Sequence, residues 1–233
     1  MQVANNSWHL YSMGLMEYQE ALCFQHRIAE LRCEKKIPDA LILVEHPHTY
    51  TLGPRSDSKH FFVSAESIKK EGIAVHQVER GGEITYHGPG QLVGYPIMQL
   101  EKNVKQVGVY ISKLEDMLLT TLQLCGLQGR KRRRQLSGKS MAGVWVNDVK
   151  VASIGIKVNR HRITSHGFAL NINTDLSYFK QIVPCGEEEC RMASIAEIMG
   201  CTIPMESVVQ HLKTAFTKVF HATFIIYEKG RIA

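Results

Sequence analysis

Between Gly81 and Gly94 the chain carries five glycines and one proline within a strand-like context, and this stretch restricts the fold more than any other. Glycine weakens a strand interior, so a strand-like segment that keeps this many must make tight turns or lie beside something the backbone approaches closely. Within it, Arg80-Gly81-Gly82-Glu83-Ile84-Thr85-Tyr86-His87-Gly88-Pro89-Gly90-Gln91 also sets Arg80, Tyr86 and His87 as donors at fixed offsets. The same residues fit a β-hairpin with glycine turns and a surface histidine, and at the level of sequence both readings stand.

The flanking segments predict the rest of the architecture. Trp8 to Tyr11 reads as a short strand. Leu15, Tyr18, Leu22 and Ile28 to Leu31 then recur at helical spacing until Lys35-Lys36 and Pro38. Ala40 to Glu45 and Ile73 to Glu79 read as strands, with a short helix from Ala65 to Glu71 before the second. Val104 to Cys125 reads as a helix stopped by Gly126. Val144 to Val146, Val149 to Val158 and Ile163 to Ile172 form three antiparallel strands across the Asn147-Asp148 and Asn159-Arg160 turns. Pro204 opens a helix with Val208, Val209, Leu212, Phe216, Val219 and Phe220 on one stripe, and Ala222 to Tyr227 closes the chain as a strand. The class is α+β. Gln128 to Ser140 is the one stretch polar enough for a boundary, but too few strands flank it for two cores, so residues 1–233 are expected to form a single domain.

Composition narrows the function classes. Of 233 residues, 44% are apolar and 21% charged, which predicts a full core rather than disorder. The longest aliphatic stretch, Ala40 to Val44, is far short of the roughly 18 residues of a membrane-spanning helix. A net charge of +6 favours acidic partners. The first Lys or Arg is Arg27, so neither a secretory nor a mitochondrial leader is visible, and a cytoplasmic location is expected. Six dispersed cysteines without a CxxC pair read as mostly reduced, buried thiols.

Several residues could carry chemistry. Pro184-Cys185-Gly186 sets a cysteine between a residue that fixes φ and one that frees it, which suits a nucleophile near backbone amides, although lone cysteines are commonly small buried hydrophobes. Lys150 shares a strand face with Ala152, Ile154 and Ile156. If that face is buried its ammonium is partly desolvated and its pKa falls, and if the Val149, Val151 and Ser153 face is buried it meets solvent. His166-Gly167-Phe168-Ala169-Leu170-Asn171 is a strand whose glycine leaves room for a ligand or another backbone. His46, His48 and His60 lack a spacing that fixes metal ligands, and no metal is expected. Cys185 and Cys190 do not fit a thioredoxin-like motif.

Taken in order, Arg80-Gly-Gly-Glu-Ile-Thr-Tyr-His-Gly-Pro-Gly-Gln-Leu, Gly143-Val-Trp-Val, Lys150-Val-Ala-Ser-Ile-Gly, His166-Gly-Phe-Ala-Leu-Asn and Pro184-Cys-Gly closely resemble the lipoyl(octanoyl) transferase family. The resemblance spans about residues 40 to 195 and departs at Gly138-Lys139-Ser140-Met141-Ala142 and in the acidic residues after Gly186. It implies a biotin/lipoate protein ligase-like fold, with a mixed, largely antiparallel sheet flanked by helices. It implies that Cys185 attacks the thioester of octanoyl-acyl carrier protein while Lys150 handles the proton, and that a lipoyl-domain lysine then takes the octanoyl group. By the same resemblance Arg80, Gly81, Gly82, Glu83, Ile84, Thr85, Tyr86, His87, Ser153, Ile154, Gly155, Gly167, Phe168 and Ala169 line the acyl pocket. Burying about seven methylene or methyl groups there contributes on the order of 5 kcal/mol. Thr85 or His87 is a candidate oxyanion donor beside backbone N–H groups.

The implied partners are octanoyl-acyl carrier protein, the lipoyl domains of 2-oxoacid dehydrogenase complexes and the glycine cleavage H protein, with no cofactor, nucleic acid or membrane. Arg130 to Arg134 is a candidate docking loop, or simply a solvated basic loop. Two alternatives remain in the sequence. An ATP-dependent lipoate or biotin ligase would need a nucleotide-binding lysine and not Cys185. A nucleic-acid-binding module would use the Arg130 to Arg134 run, which no aromatic residues interleave.

Overall fold

The computed structural model describes residues 6–56, 60–101, 103, 105–132, 142–184 and 190–227. In chain order these form β1 (Ser7–Leu15), α1 (Tyr18–Cys33), β2 (Asp39–Glu45), β3 (Thr49–Leu52), α2 (Ala65–Lys70), β4 (Ala74–Gln77), β5 (Ile84–His87), β6 (Gln91–Ile97) and α3 (Gln106–Leu124). There follow β7 (Gly129–Arg130), β8 (Gly143–Val146), β9 (Val149–Val158), β10 (Thr164–Asn171), a 3₁₀ turn (Leu176–Gln181), α4 (Ile195–Met199), α5 (Met205–Phe220) and β11 (Thr223–Tyr227).

A large sheet runs in the order β11-β1-β2-β6-β10-β9-β8-β7. β1 is parallel to both of its neighbours, and the other pairs are antiparallel. A small sheet, β4-β3-β5, stands beside it. β2 is apolar at every position from Ala40 to Val44 because helices cover both of its faces. Ala40, Ile42 and Val44 pack in one core with Ala21, Ile28 and Leu31 of α1. Leu41 and Leu43 belong to the opposite core, with Leu114 and Met117 of α3 and Leu212 and Phe216 of α5. Under the small sheet Tyr50, Ile84, Tyr86, Trp145 and Phe179 make a third cluster. Among the described residues no helix is long and apolar enough to cross a membrane.

The three antiparallel strands expected from Val144 to Ile172 are β8, β9 and β10, and Gly126, at φ +84°, follows the end of α3 as expected. Leu15 departs from expectation: it ends β1 and is exposed, and α1 begins only at Tyr18. The spacing from Leu15 to Tyr18 looks helical, yet the pairing of β1 with β2 continues to Leu15↔Glu45 past a bulge. β3, β7, α4 and the 3₁₀ turn were too short to show a period.

Gly167 shows how tightly the sheet is packed over its central strands. A Cβ there would stand 2.1 Å from the Gly94 carbonyl oxygen and 2.7 Å from Pro96 Cδ, and backbone cannot move aside cheaply. Gly167→Ala is expected to cost about 2 kcal/mol, in the range of overpacked cores. Thermal denaturation should show a clear fall in Tm. Gly108→Ala, in α3 with open space around it, should leave Tm unchanged or raised, and an equal Tm for the two variants would contradict the packing argument.

Candidate active site

β9 and β10 pair through Ser153↔Ala169, Ile154↔Phe168 and Gly155↔Gly167, so their glycines meet at one level of the sheet. The connection from β4 to β5 crosses there: Gly81 N–H donates to Ile156 O at 2.9 Å. Gly155 allows that approach, because a Cβ on it would be 2.9 Å from Gly81 O and 3.1 Å from Arg80 Cδ. The two sheets border a partly open cavity.

Of the residues expected to bind substrate, Arg80, Gly81, Gly82, Glu83, Ile84, Thr85, His87, Ser153, Ile154, Gly155, Gly167, Phe168 and Ala169 line this cavity, and Lys150 joins them. Tyr86 does not line it, which corrects the expectation. Alternation along β5 turns it away from Thr85 and His87; it stacks on Tyr178 at 4.9 Å and its hydroxyl lies 2.7 Å from His48 Nδ1. Tyr18, Val93 and Tyr95, which carried no assignment, also line the cavity, and so does His166, which opens the His166-Gly167-Phe168 motif but was not expected to bind substrate. The alternation of Val93 with Tyr95 along β6 carried a signal for two of them; Tyr18 arrives from the first turn of α1, which only the tertiary fold reveals.

Lys150 is 1% exposed. The question of which face of β9 is buried had no single answer, because Lys150, Val151 and Ala152 are all buried. Gly143 makes room for the lysine side chain: a Cβ there would be 2.8 Å from Lys150 Cε. Lys150 Nζ lies 5.1 Å from the Trp145 ring centroid, a favourable cation–π arrangement. The Lys150 N–H donates to Arg191 O at 2.8 Å and Ala193 N–H donates to Lys150 O at 2.9 Å. Cys185 and Gly186 lie outside the described residues. The chain before them is tied by Val183 N–H to His60 O at 2.8 Å, and the chain after them by the bonds to Lys150.

The polar interior is closely paired. Arg80 donates to Thr51 O at 2.7 Å and to Thr51 Oγ1 at 2.8 Å from Nη2. Gln91 Nε2 donates to Tyr86 O and to Asn171 Oδ1, so Gln91 Oε1 accepts from His87 Nδ1 at 2.8 Å. Burial holds the His87 pKa well below its ordinary value. The neutral ring therefore carries its proton on Nδ1 and presents a lone pair at Nε2. His46 Nδ1 donates to Met16 O and its Nε2 accepts from the Tyr95 hydroxyl, both at 2.8 Å. His46, His48 and His60 have separate surroundings: His46 between Met16 O and Tyr95, His48 against Tyr86 and Tyr178, and His60 3.9 Å from Glu83.

Residues 17–217 match the lipoyl protein ligase A/B catalytic domain model. The chain belongs to that family. The octanoyltransferase of Caldicellulosiruptor bescii is 42% identical over 220 residues, 94% of each chain, and this chain is likewise an acyltransferase. The bipartite lipoate protein ligase of Thermoplasma acidophilum superposes with a TM-score of 0.74 at 15% identity, over 95% of this chain and 87% of that one. A biotin protein ligase of Aquifex aeolicus superposes with a TM-score of 0.50 at 9% identity, over 92% of this chain and 69% of that one. These two likenesses are of fold, and the fold is the ligase-like α+β one that the motifs implied.

Burial, first among the causes, brings His46 and His166 each down to about 4. Their folded values lie below the unfolded value near 6.5, so as pH falls the unfolded chain takes up protons first. The stability they contribute is complete above about pH 6.5 and is lost as pH falls toward 4, on the order of 3 kcal/mol for each. Tm is expected to drop steeply between pH 7 and pH 4.5, and His46→Asn to lower Tm at pH 7 while shrinking that drop. A pH dependence unchanged by the substitution would contradict this account.

Proposed function

We propose that this enzyme transfers an octanoyl group from octanoyl-acyl carrier protein to the ε-amine of a lysine on lipoyl domains, through an octanoyl-Cys185 thioester. The observation that carries the reading is a fully buried lysine, Lys150, on the wall of a glycine-bordered cavity with an apolar side of Val93, Ile154, Phe168 and Ala169. Such a wall suits an alkyl chain, and a lysine held there serves proton transfer rather than solvation. The bonds from Lys150 to Arg191 and Ala193 support placing Cys185 in the same working unit, since that segment follows it closely in sequence.

In the first half-reaction Cys185 Sγ attacks the thioester carbonyl and its proton passes to Lys150. The tetrahedral oxyanion collapses, the carrier's thiolate leaves, and Lys150 returns the proton to it. In the second, the acceptor amine attacks octanoyl-Cys185, its proton passes to Lys150, and Cys185 leaves as a thiolate that is reprotonated. The thioester already carries the activation. With its lone pair at Nε2, neutral His87 is no oxyanion donor, which leaves Thr85 and backbone N–H groups for that task.

The acceptors proposed are lipoyl domains of 2-oxoacid dehydrogenase complexes and the glycine cleavage H protein; the T. acidophilum ligase was studied with its E2 lipoyl domain. The net charge of +6 favours such acidic partners. Part of the proposed docking loop is already engaged within the chain. Arg130 pairs with Asp148 at 2.6 Å and Lys131 with Asp116 at 2.7 Å, while Arg132 is exposed and Arg133 and Arg134 lie outside the described residues.

Intact-protein mass tests the mechanism. Mixing with octanoyl-acyl carrier protein alone should add one octanoyl group to the enzyme, and an unmodified lipoyl domain should then remove it and gain the same mass. Cys185→Ala should form no adduct, and Lys150→Ala should slow transfer by about a thousandfold or more, each with a cooperative thermal transition that shows it folded. Normal turnover in either folded variant would overturn the roles given, and transfer that requires ATP would replace this reading with a ligase.

A further inference from the structure

His166 borders two cavities. It closes one side of the acyl cavity, and it also lines a second cleft of about 780 Å³, mouth included, whose other walls include Leu22 and Ala29 of α1, Val78, Lys157 and Ile163. In the pairing of β9 with β10, His166 stands opposite Ile156. That is six strand positions from the Lys150 backbone, but the Lys150 side chain runs along the sheet to Gly143, which pairs with Ser153, and the three positions that remain, about 10 Å at ~3.3 Å per residue, match an extended eight-carbon chain. An acyl chain whose carbonyl lies beside Lys150 therefore runs along Ile154, Phe168 and Gly155 toward the His166 ring.

The residue is built unlike its neighbours. It holds φ +57° within a strand, a region that side chains other than glycine and asparagine seldom adopt and that marks stored strain. Its backbone is fixed, because its N–H donates to Gln25 Oε1 of α1 at 2.8 Å. Its ring is not: the residue is 4% exposed, yet Nδ1 is buried without a hydrogen-bond partner. His46 and His87, by contrast, each have a partner at both ring nitrogens. Turning the His166 ring therefore breaks no hydrogen bond at Nδ1.

We propose that the His166 ring is the far wall that sets acyl chain length, and that moving or removing it joins the acyl cavity to the cleft under α1 so that longer acyl chains are accepted. The inference rests on reading the first cavity as the acyl site. His166→Gly removes the wall and suits the backbone, since glycine adopts φ +57° freely; His166→Asn also tolerates that conformation and serves as a second, smaller side chain.

The test is competition between octanoyl and dodecanoyl thioester donors, with transfer to a lipoyl domain as the readout and Tm as the check on folding. The ratio of kcat/KM for dodecanoyl over octanoyl should rise roughly tenfold or more in His166→Gly, well within what four further buried methylenes supply. Adding Leu22→Trp, which fills the cleft from α1, should bring the ratio back, while Leu22→Trp alone leaves octanoyl transfer unchanged. A loss of stability alone would slow both donors without moving their ratio. The proposal is overturned if both folded His166 variants keep the wild-type ratio, or if the long-chain gain survives Leu22→Trp. A wild-type enzyme that moves no octanoyl group at all overturns the functional reading and this one together, and is thereby told apart from a failure of the wall alone.

Discussion

The hydrogen bond from Gly81 N–H to Ile156 O is the contact on which the cavity depends. It joins the small sheet to the large one across a gap that two glycine backbones alone can close. Any side chain at Gly155 would push the Gly81 carbonyl and the Arg80 stem away, and the cavity would lose its roof. The glycine-rich stretch is therefore less a set of turns than a set of contact points, where backbone replaces side chain so that two sheets stand close enough to border one cavity.

The polar groups at this junction obey the same economy of space. Arg80 is buried yet satisfied by Thr51, and its field adds to burial in lowering His87 and His166. A permanent cation beside imidazoles that stay neutral gives the interior a fixed polarity at neutral pH. From His87 the bonds continue through Gln91 and Asn171 to Ala193 O, and Ala193 N–H reaches the Lys150 carbonyl. The cavity wall and the backbone of Lys150 are thus parts of one hydrogen-bonded frame, in which other rotamers of Gln91 and Asn171 would leave a buried group unpaired.

Much of this could be read from the residues, for identifiable reasons. Long periodic segments such as Val208 to Phe220 announce their helix, and the Asn147-Asp148 turn announces its hairpin. The glycine motifs pointed to close approach, and the approach is present at Gly81 and Gly155. What stayed hidden depends on partners distant in sequence. The burial around Lys150 follows from α3, Trp145 and the 190–193 segment all packing on β9, and Tyr86 looked like a site residue although β5 alternation aims it at Tyr178. Tyr18 and His166 reach the cavity through a helix start and a strained strand position, neither of which has a periodic signature.

The pairing of the first strand with the last has a consequence for how the molecule is made. β1 receives β11 in parallel, Asn6 bonds to Phe220 O across 214 positions of sequence, and Trp8 meets Phe216 and Phe220 edge to face. During synthesis β1 can join β2 early, but its outer edge and the indole of Trp8 stay uncovered until α5 and β11 have left the ribosome. Contacts of such long range slow folding, and an unpaired strand edge beside an exposed aromatic invites association with other chains. The interval between making β2 and making β11 is thus the period in which this fold is most open to aggregation, and the amphipathic α5 is the element that ends it.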